Sequence, residues 1–426
     1  MRPCTPRATT SRTSSWRPRA ISWKGWCVIT RTDAAPPFAS HATPPCRLTL
    51  NAGALKRNLG FLRRVAGRAE VALVIKGNAY GHGIETFGPL AESLGVRTFA
   101  VGSADEALRA RSCLARDTDV MILSWISQDE LEWAIASDVS FWVFELGRLR
   151  DAAEAAARVG RPARVHLELE TGMHRTGLAA NELEEVAAIV RAGAIRVEGT
   201  CTHYAGAESE GNFLRVQSQI ETFRTRVHQL AEAGIAPGKL HTASSAATFL
   251  YPETRLDLVR VGIAAYGFWP SQETKMRLLL QASDMRHPER WNPLRRVLRW
   301  TTRVIAVNDV DAGEYVGYGM AYLTPRPQRI AAIPVGYYHG FARALSNVGQ
   351  VLLRGRLCPV VGTVSMNVTL VDVTDCPAVE TGDEVVLIGS QGRREISVSS
   401  FGDLARILNY EVLVRIPPEI PRVVVD

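Results

Sequence analysis

The sequence predicts a (β/α)8 barrel followed by a mainly antiparallel β domain. Eight short β-rich runs alternate with helical stretches over roughly 200 residues, which is the count of such a barrel. Past residue 295 the β-rich runs are separated by Gly and Asp turns instead of helices, as in an antiparallel sheet. No G-x-G-x-x-G follows the first run, which weakens the competing doubly wound open sheet.

The eight runs are EVALVIK (70–76), TFAVGS (98–103), DVMILSW (119–125), VSFWVFE (139–145), ARVHLELE (163–170), IRVEGTCTHY (195–204), KLHTASS (239–245) and LVRVGIAAYG (258–267). Segments with helical period lie between them, such as 181–193 and 213–234. We therefore expect a barrel over 47–270 and a linker or insertion over 271–295, where the pattern breaks. A β domain over 296–426 follows, with strands in LRWTTRVIAV, RIAAIPVGY, the long run 351–373, DEVVLIG and EVLVRI. Residues 1–46 hold no lasting period and are rich in Arg, Ser, Thr and Pro. They are expected to be a disordered or non-native extension, resembling either a transit peptide or sequence translated from upstream of the true start.

Composition narrows the function. The chain has 426 residues, 46% hydrophobic and 22% charged, enough for a large soluble core, and no apolar run reaches the ~18 residues that a membrane span needs. The net charge of +7 sits almost wholly in residues 1–46, which carry seven basic residues against Asp33 alone. A near-neutral body has no general attraction to nucleic acid. Seven scattered cysteines without a C-x-x-C pair argue against a disulfide framework or a zinc site and suit a reducing cytoplasm. Only five of the 50 basic residues are lysines, so a function needing an amine has few candidates.

Barrel enzymes work at the C-terminal ends of their strands. Lys76 ends the first run behind five apolar residues, a setting that lowers an amine pKa and favours the free base that forms Schiff bases. The bland alternative is a strand-end lysine reaching to solvent. His203 ends IRVEGTCTHY. Ser244 and Ser245 precede a helical stretch, where hydroxyls and backbone N–H groups suit a phosphate. Arg260 falls inside an apolar run, where a buried cation needs a partner, and Gly262 beside it permits close approach of a ligand.

Nine motifs in order then resemble one family. They are K-G-N-A-Y-G-H-G (76–83), T-G-M-H-R-T-G (171–177), T-H-Y-A (202–205), H-T-A-S-S-A-A (241–247), V-R-V-G-I-A-A-Y-G (259–267), V-G-Y-G (316–319), P-V-G-Y (334–337), V-S-M-N (364–367) and N-Y-E-V (409–412). The chain from 47 to 426 resembles the alanine racemases, fold-type III enzymes that use pyridoxal 5'-phosphate. The resemblance implies interconversion of L- and D-alanine by two bases, D-alanine for wall peptidoglycan, and a homodimer with shared active sites. It makes Lys76 the cofactor-binding lysine and one base, Tyr318 of the partner copy the other, and His203 the residue that orients that tyrosine. Tyr80, Ser245, the backbone N–H groups of Gly262 and Ile263, and Tyr410 match the phosphate cradle. Arg260 matches the group facing the pyridine nitrogen, and an arginine keeps its proton. Arg175 matches the arginine near the cofactor's phenolic oxygen, the Met366 amide the substrate carboxylate, and Tyr337 with Tyr410 the entry channel. No metal is implied.

Several positions depart from the pattern. Glu168 stands where a carbamylated lysine is common, Glu170 replaces an aspartate, Asn367 and His339 also replace aspartates, and Ser244 replaces an asparagine. We expect Glu168 to pair with Arg175. A serine or broader-specificity racemase on the same scaffold is the near alternative. A decarboxylase of this fold would set an acid in place of Arg260, and a cofactor carrier without catalysis would have no use for Tyr318.

Overall fold

Local sequence sets the first elements of the computed structural model, which describes residues 45–281, 292–376, 378–405 and 407–426. The expectations for 1–44 and for 282–291 lie outside these residues. RLTLN alternates buried and half-buried positions and forms β1 (Arg47–Asn51). Asn51 then caps α1 (Ala52–Ala66) by accepting the Ala54 N–H, and Gly67 ends that helix at φ 69°.

Eight parallel strands follow: β2 (Glu70–Val74), β3 (Thr98–Val101), β4 (Asp119–Ile122), β5 (Ser140–Val143), β6 (Ala163–Glu168), β7 (Ile195–Cys201), β8 (Lys239–His241) and β9 (Leu258–Val261). Their order is β8-β7-β6-β5-β4-β3-β2-β9. The Asp257 N–H reaches Leu240 O at 3.1 Å and the Arg260 N–H reaches Ala243 O at 2.9 Å, which draws the two edge strands together into a nearly closed barrel. Between the strands run α2 (Lys76–Tyr80), α3 (Ile84–Ser93), α4 (Ala104–Cys113), α5 (Gln128–Ala136), α6 (Leu146–Val159), α7 (Leu183–Arg191), α8 (Phe213–Glu232) and α9 (Ser245–Leu250). All eight expected β-rich runs form strands. Each strand stops short of the end of its run, where the chain turns into the segment that follows.

α10 (Gln272–Gln281) occupies part of the expected linker. The second sheet is built from β10 (Leu298–Arg303), β11 (Ala306–Val310), β12 (Gln328–Ile333), β13 (Gln350–Leu353), β14 (Arg356–Val361), β15 (Thr369–Asp372), β16 (Glu384–Gln391), β17 (Arg394–Ile396) and β18 (Arg422–Val425). Its order is β11-β12-β15-β14-β13-β16-β10-β1-β18, with β17 on β16. Every pair is antiparallel except β1 with β18. The range 47–270 expected for the barrel thus begins with a strand of the other sheet. EVLVRI is a second correction. It lies in α12 (Asn409–Val414) and the turn after it, following α11 (Val398–Ala405). A short apolar run suits either state, and here burial of Val412 and Leu413 on one side and the Glu411–Arg415 ion pair at i,i+4 favour the helix. Among the described residues no helix is long and apolar enough to cross a membrane.

Candidate active site

Lys76, the expected strand end, opens α2, a short left-handed turn after β2, one residue beyond the last ladder contact at Ile75, whose N–H donates to Ala100 O at 2.8 Å. The next four residues turn left-handed: Gly77, Asn78, Ala79 and Tyr80 have φ of 63°, 54°, 54° and 48°. Each non-glycine residue in that conformation costs roughly 1–2 kcal/mol, so the turn needs outside support. The Glu106 carboxylate accepts the Asn78 N–H at 2.9 Å, and Arg109 donates to Asn78 Oδ1 at 2.6 Å. Arg422 donates to Gly81 O at 2.9 Å, and α12 packs so close that a side chain on Gly81 would meet Leu413 O at 2.0 Å.

Water reaches Lys76, yet the surrounding protein lowers its pKa, first by desolvation and then through the Arg175 and Arg260 charges, with Glu106 opposing. His203 sits just beyond the end of β7 and is pushed down to about 3 by burial, then by Arg260, Arg175 and Lys76. It is therefore neutral. The expected barrel-mouth residues do converge, and they make a cationic basin.

Arg260 is buried in β9 with no carboxylate within 4 Å among the described residues. Its guanidinium donates to His241 O, Thr202 O at 2.8 Å and Thr242 O at 3.2 Å, and lies 4.9 Å from the Trp142 ring centroid. It also meets His241 Nδ1 at 2.8 Å. Arginine only donates, so His241 Nδ1 accepts there and its Nε2–H donates to His166 Nδ1 at 2.9 Å. His166 Nε2–H then faces Ser140 Oγ at 3.3 Å. Both rings stay neutral, since burial lowers their pKa strongly. His241 and Trp142 were missed by the sequence reading. His241 opens a quoted motif, which was a usable signal; Trp142 left none.

Tyr80 is buried between Tyr266, 4.8 Å away between ring centroids, and Tyr410 at 6.0 Å. Its hydroxyl lies against Gly262, where an added Cβ would come within 2.3 Å. The Gly262 N–H donates to Ser245 Oγ at 3.0 Å, whereas the Ile263 N–H has no acceptor among the described residues. Ser244 caps α9 through its hydroxyl, filling the role open to asparagine. Burial raises the Tyr410 pKa to about 12, so its hydroxyl stays a donor.

Two of the departures, Glu170 and His339, have local accounts. Glu170 accepts the N–H groups of Gly172 and His174 and so shapes the loop that carries Arg175. His339 Nδ1 accepts the Gly336 N–H at 3.2 Å, a task an aspartate could also perform. The expected Glu168–Arg175 pair does not form. Glu168 is buried inside the barrel and accepts from Thr176 Oγ1 at 2.8 Å, while Arg175 is exposed on the loop with no carboxylate within 4 Å among the described residues. The two charges sense each other only at longer range, and burial raises the Glu168 pKa.

Tyr318, Tyr337 and Met366 lie elsewhere. With Gly317, Arg343 and Asn367 they line an open cavity of about 800 Å³ on the second sheet, whose wall includes none of the barrel-mouth residues. Tyr318 is 74% exposed, Tyr337 42% and Met366 54%. The Met366 carbonyl accepts the Tyr338 N–H at 3.0 Å, and its own N–H has no acceptor among the described residues. Among the described residues no cluster of His, Cys, Asp or Glu is arranged to hold a metal ion.

Both parts of the chain match known proteins. Residues 50–270 match the model of the alanine racemase N-terminal domain and 297–424 that of the C-terminal domain. The alanine racemase of Symbiobacterium thermophilum is 36% identical over 381 residues, covering 89% of this chain and 96% of the relative. The crystal structure of alanine racemase from Streptomyces lavendulae superposes with a TM-score of 0.81 at 29% identity, over 91% of this chain and 98% of that one. That of the Bartonella henselae alanine racemase, which has covalently bound pyridoxal phosphate, gives 0.76 at 26% identity, over 90% and 100%. With both domain models matched and this identity over nearly its whole described length, the chain belongs to the alanine racemase family.

Proposed function

We propose that the protein interconverts L- and D-alanine with pyridoxal 5'-phosphate, as a homodimer in which each active site takes residues from both copies. The observation that carries this reading is the division of acid–base groups within one chain. Lys76 stands in the barrel basin, while Tyr318 stands 74% exposed on a separate open cavity. Racemisation needs a proton removed on one face of Cα and returned on the other, so each half-site lacks what the other carries.

The barrel residues fit the cofactor. An anion suits a basin that gathers Lys76, Arg175 and Arg260, and a phosphate suits the cradle of the Tyr80 hydroxyl, Ser245, Tyr410 and the free Ile263 N–H. Lys76 would hold the aldehyde carbon and Arg260 would meet the ring nitrogen. When bound, the cofactor supplies an electron sink for the charge left at Cα. Because Arg260 keeps its proton among neutral histidines and carbonyls, that sink is weaker than with an acid partner, which disfavours side reactions such as transamination.

Lys76 Nζ takes the Cα proton on one face, helped by the lowered pKa that leaves more free amine. Tyr318 Oη of the partner copy gives or takes it on the other. The neutral His203 accepts a hydrogen bond from that phenol and holds it in place. Arg175, together with the free N–H of Met366 from the partner copy, orients the substrate carboxylate, and Tyr337 of the partner copy narrows the approach. The D-alanine made would supply wall peptidoglycan from the cytoplasm.

The test is complementation. Lys76→Ala and Tyr318→Phe should each be inactive alone, whereas co-refolded or co-expressed mixtures should regain activity, since a mixed dimer holds one intact site. Absence of recovery in demonstrated mixed dimers would reject shared sites. A panel of L-amino acids decides between alanine and serine or broader specificity.

A further inference from the structure

We propose that Glu106 is the positioning residue of Lys76, clamping the turn that aims the lysine and presenting a carboxylate charge to it. The proposal rests on the reading of Lys76 as the proton-transferring amine. Glu106 sits at the third position of α4, held there because Ser103 Oγ accepts its N–H at 3.2 Å. Its two oxygens then serve two different barrel loops. Oε1 accepts the Asn78 N–H at 2.9 Å, in the left-handed turn after β2, and Oε2 accepts the Gly102 N–H at 2.8 Å, after β3. The carboxylate staples neighbouring strand ends at the point where the lysine leaves the barrel.

Gly102 makes the approach possible. A Cβ there would lie 3.2 Å from Glu106 Oε2 and 3.3 Å from Lys76 Cβ, so only a glycine's width separates the acid from the lysine stem. The other support of the turn is electrically closed, because Arg109, which binds Asn78 Oδ1, is paired with Glu85 at 2.7 Å. Glu106 has no cation within 4 Å among the described residues, so its charge is directed at the basin.

The groups around the amine come from every side. Arg175 reaches it from the loop after β6, Arg260 from β9, the neutral His203 from β7, and Glu106 from α4. On α12, Tyr410 is uncharged and Glu411 is neutralised by Arg415. Desolvation, and then the two cations, drive the proton off Lys76, and Glu106 opposes them. A base that must return the proton it takes needs that opposition; without it the amine would shed its proton too readily.

The experiment is the pH profile of Lys76 labelling by acetic anhydride in the full-length, cofactor-free protein, read by peptide mass mapping against Lys56 on α1. Glu106→Gln should lower the Lys76 midpoint by at least half a pH unit. Glu106→Asp, which keeps the charge, should restore the midpoint to within 0.2 unit while exchange at the Asn78 and Gly102 amides quickens at least tenfold. A Gln midpoint equal to wild type, or an Asp midpoint as low as that of Gln, overturns the proposal. If the Gln variant does not fold, the Asp variant decides, and unchanged amide exchange in it is equally fatal. Labelling needs no substrate, so failure to racemise alanine would overturn the reading of the site and leave this result standing.

Discussion

Glycine 262 offers a test in which one chemical change should have opposite signs at two places. In Gly262→Ala the new Cβ would fall 2.3 Å from Tyr80 Oη and 3.0 Å from its Cζ, about 1 Å inside ordinary contact. Gly262 does not have a positive φ, so the cost is steric and not conformational. Tyr80 cannot retreat. It is 7% exposed, packed on Tyr266, and its own backbone is fixed in the left-handed turn. Overpacking of this kind costs about 1–3 kcal/mol. Gly60, in the middle of α1, has open space where a Cβ would stand, with nothing within 4 Å, and alanine there should stabilise by about 0.5–1 kcal/mol. Urea denaturation of both variants should therefore separate them by roughly 1.5–4 kcal/mol. Retention of pyridoxal phosphate on gel filtration should fall for Gly262→Ala alone, because the displaced Tyr80 hydroxyl belongs to the proposed phosphate cradle. Equal stability of the two variants, or full cofactor retention in Gly262→Ala, would show that the cradle is looser than this geometry.

Other expectations follow from the same structure. Burial holds His82 near a pKa of about 4 and His166 near about 3, and His241 well below its ordinary value. Their folded pKa values are depressed, so their contribution is complete above about pH 6.5 and is lost below it at about 1.4 kcal/mol per unit for each histidine. Urea midpoints should fall steeply from pH 6.5 to 5, and a flat profile would contradict neutral burial. Tyr318→Phe should slow Cα exchange from one antipode by at least about 100-fold more than from the other. Deuterium wash-in from L- and D-alanine reads this, and equal losses would argue against two distinct bases. Glu168→Gln should change stability by less than about 1 kcal/mol, since the amide oxygen can still accept from Thr176. A loss of about 3–5 kcal/mol, the size expected for breaking a buried ion pair, would restore the Arg175 pairing.

What could be read from the sequence follows the range of the interactions. The barrel strands were legible because each is a short β-rich run whose partners are the next runs in the chain. β1 was not, because RLTLN alternates modestly and its partners, Leu298–Thr301 and Arg422–Val425, lie some hundreds of residues away. Lys76, Arg260 and Gly262 were legible as polar or small residues set against apolar strands. The left-handed turn was not, since nothing local commits Asn78, Ala79 and Tyr80 to positive φ; the acceptor that holds Asn78 comes from the next βα unit. Ser103-Ala-Asp-Glu106 did carry a helix-capping pattern, S-x-x-E, but such a pattern announces a helix start and says nothing of a lysine across the barrel rim. The Glu168 pairing failed for a related reason. Spacing placed both groups at one strand end, and only burial separates an acid turned inward from an arginine turned out.

The two sheets meet at the turn that follows the lysine. β1 lies between β10 and β18, so the chain enters the barrel from the second sheet and finishes beside its own entry strand. From β18, Arg422 donates to Gly81 O, and also to the carbonyls of Ile416, Pro417 and Ile420, gathering the C-terminal segment around the turn. Burial lowers its pKa to about 10, which still leaves the cation charged at neutral pH. The left-handed turn is therefore held by α4 on one side and by the last strand of the chain on the other. This linkage gives a physical reason for the second sheet to accompany the barrel. A free barrel would lose Arg422 and the Leu413 contact together, and with them half the support of a strained turn. A second sheet without a barrel would present Tyr318 to nothing. In one chain the sheet steadies the chain's own lysine while leaving Tyr318 exposed, and in the proposed homodimer two copies facing each other would complete both sites with the same parts.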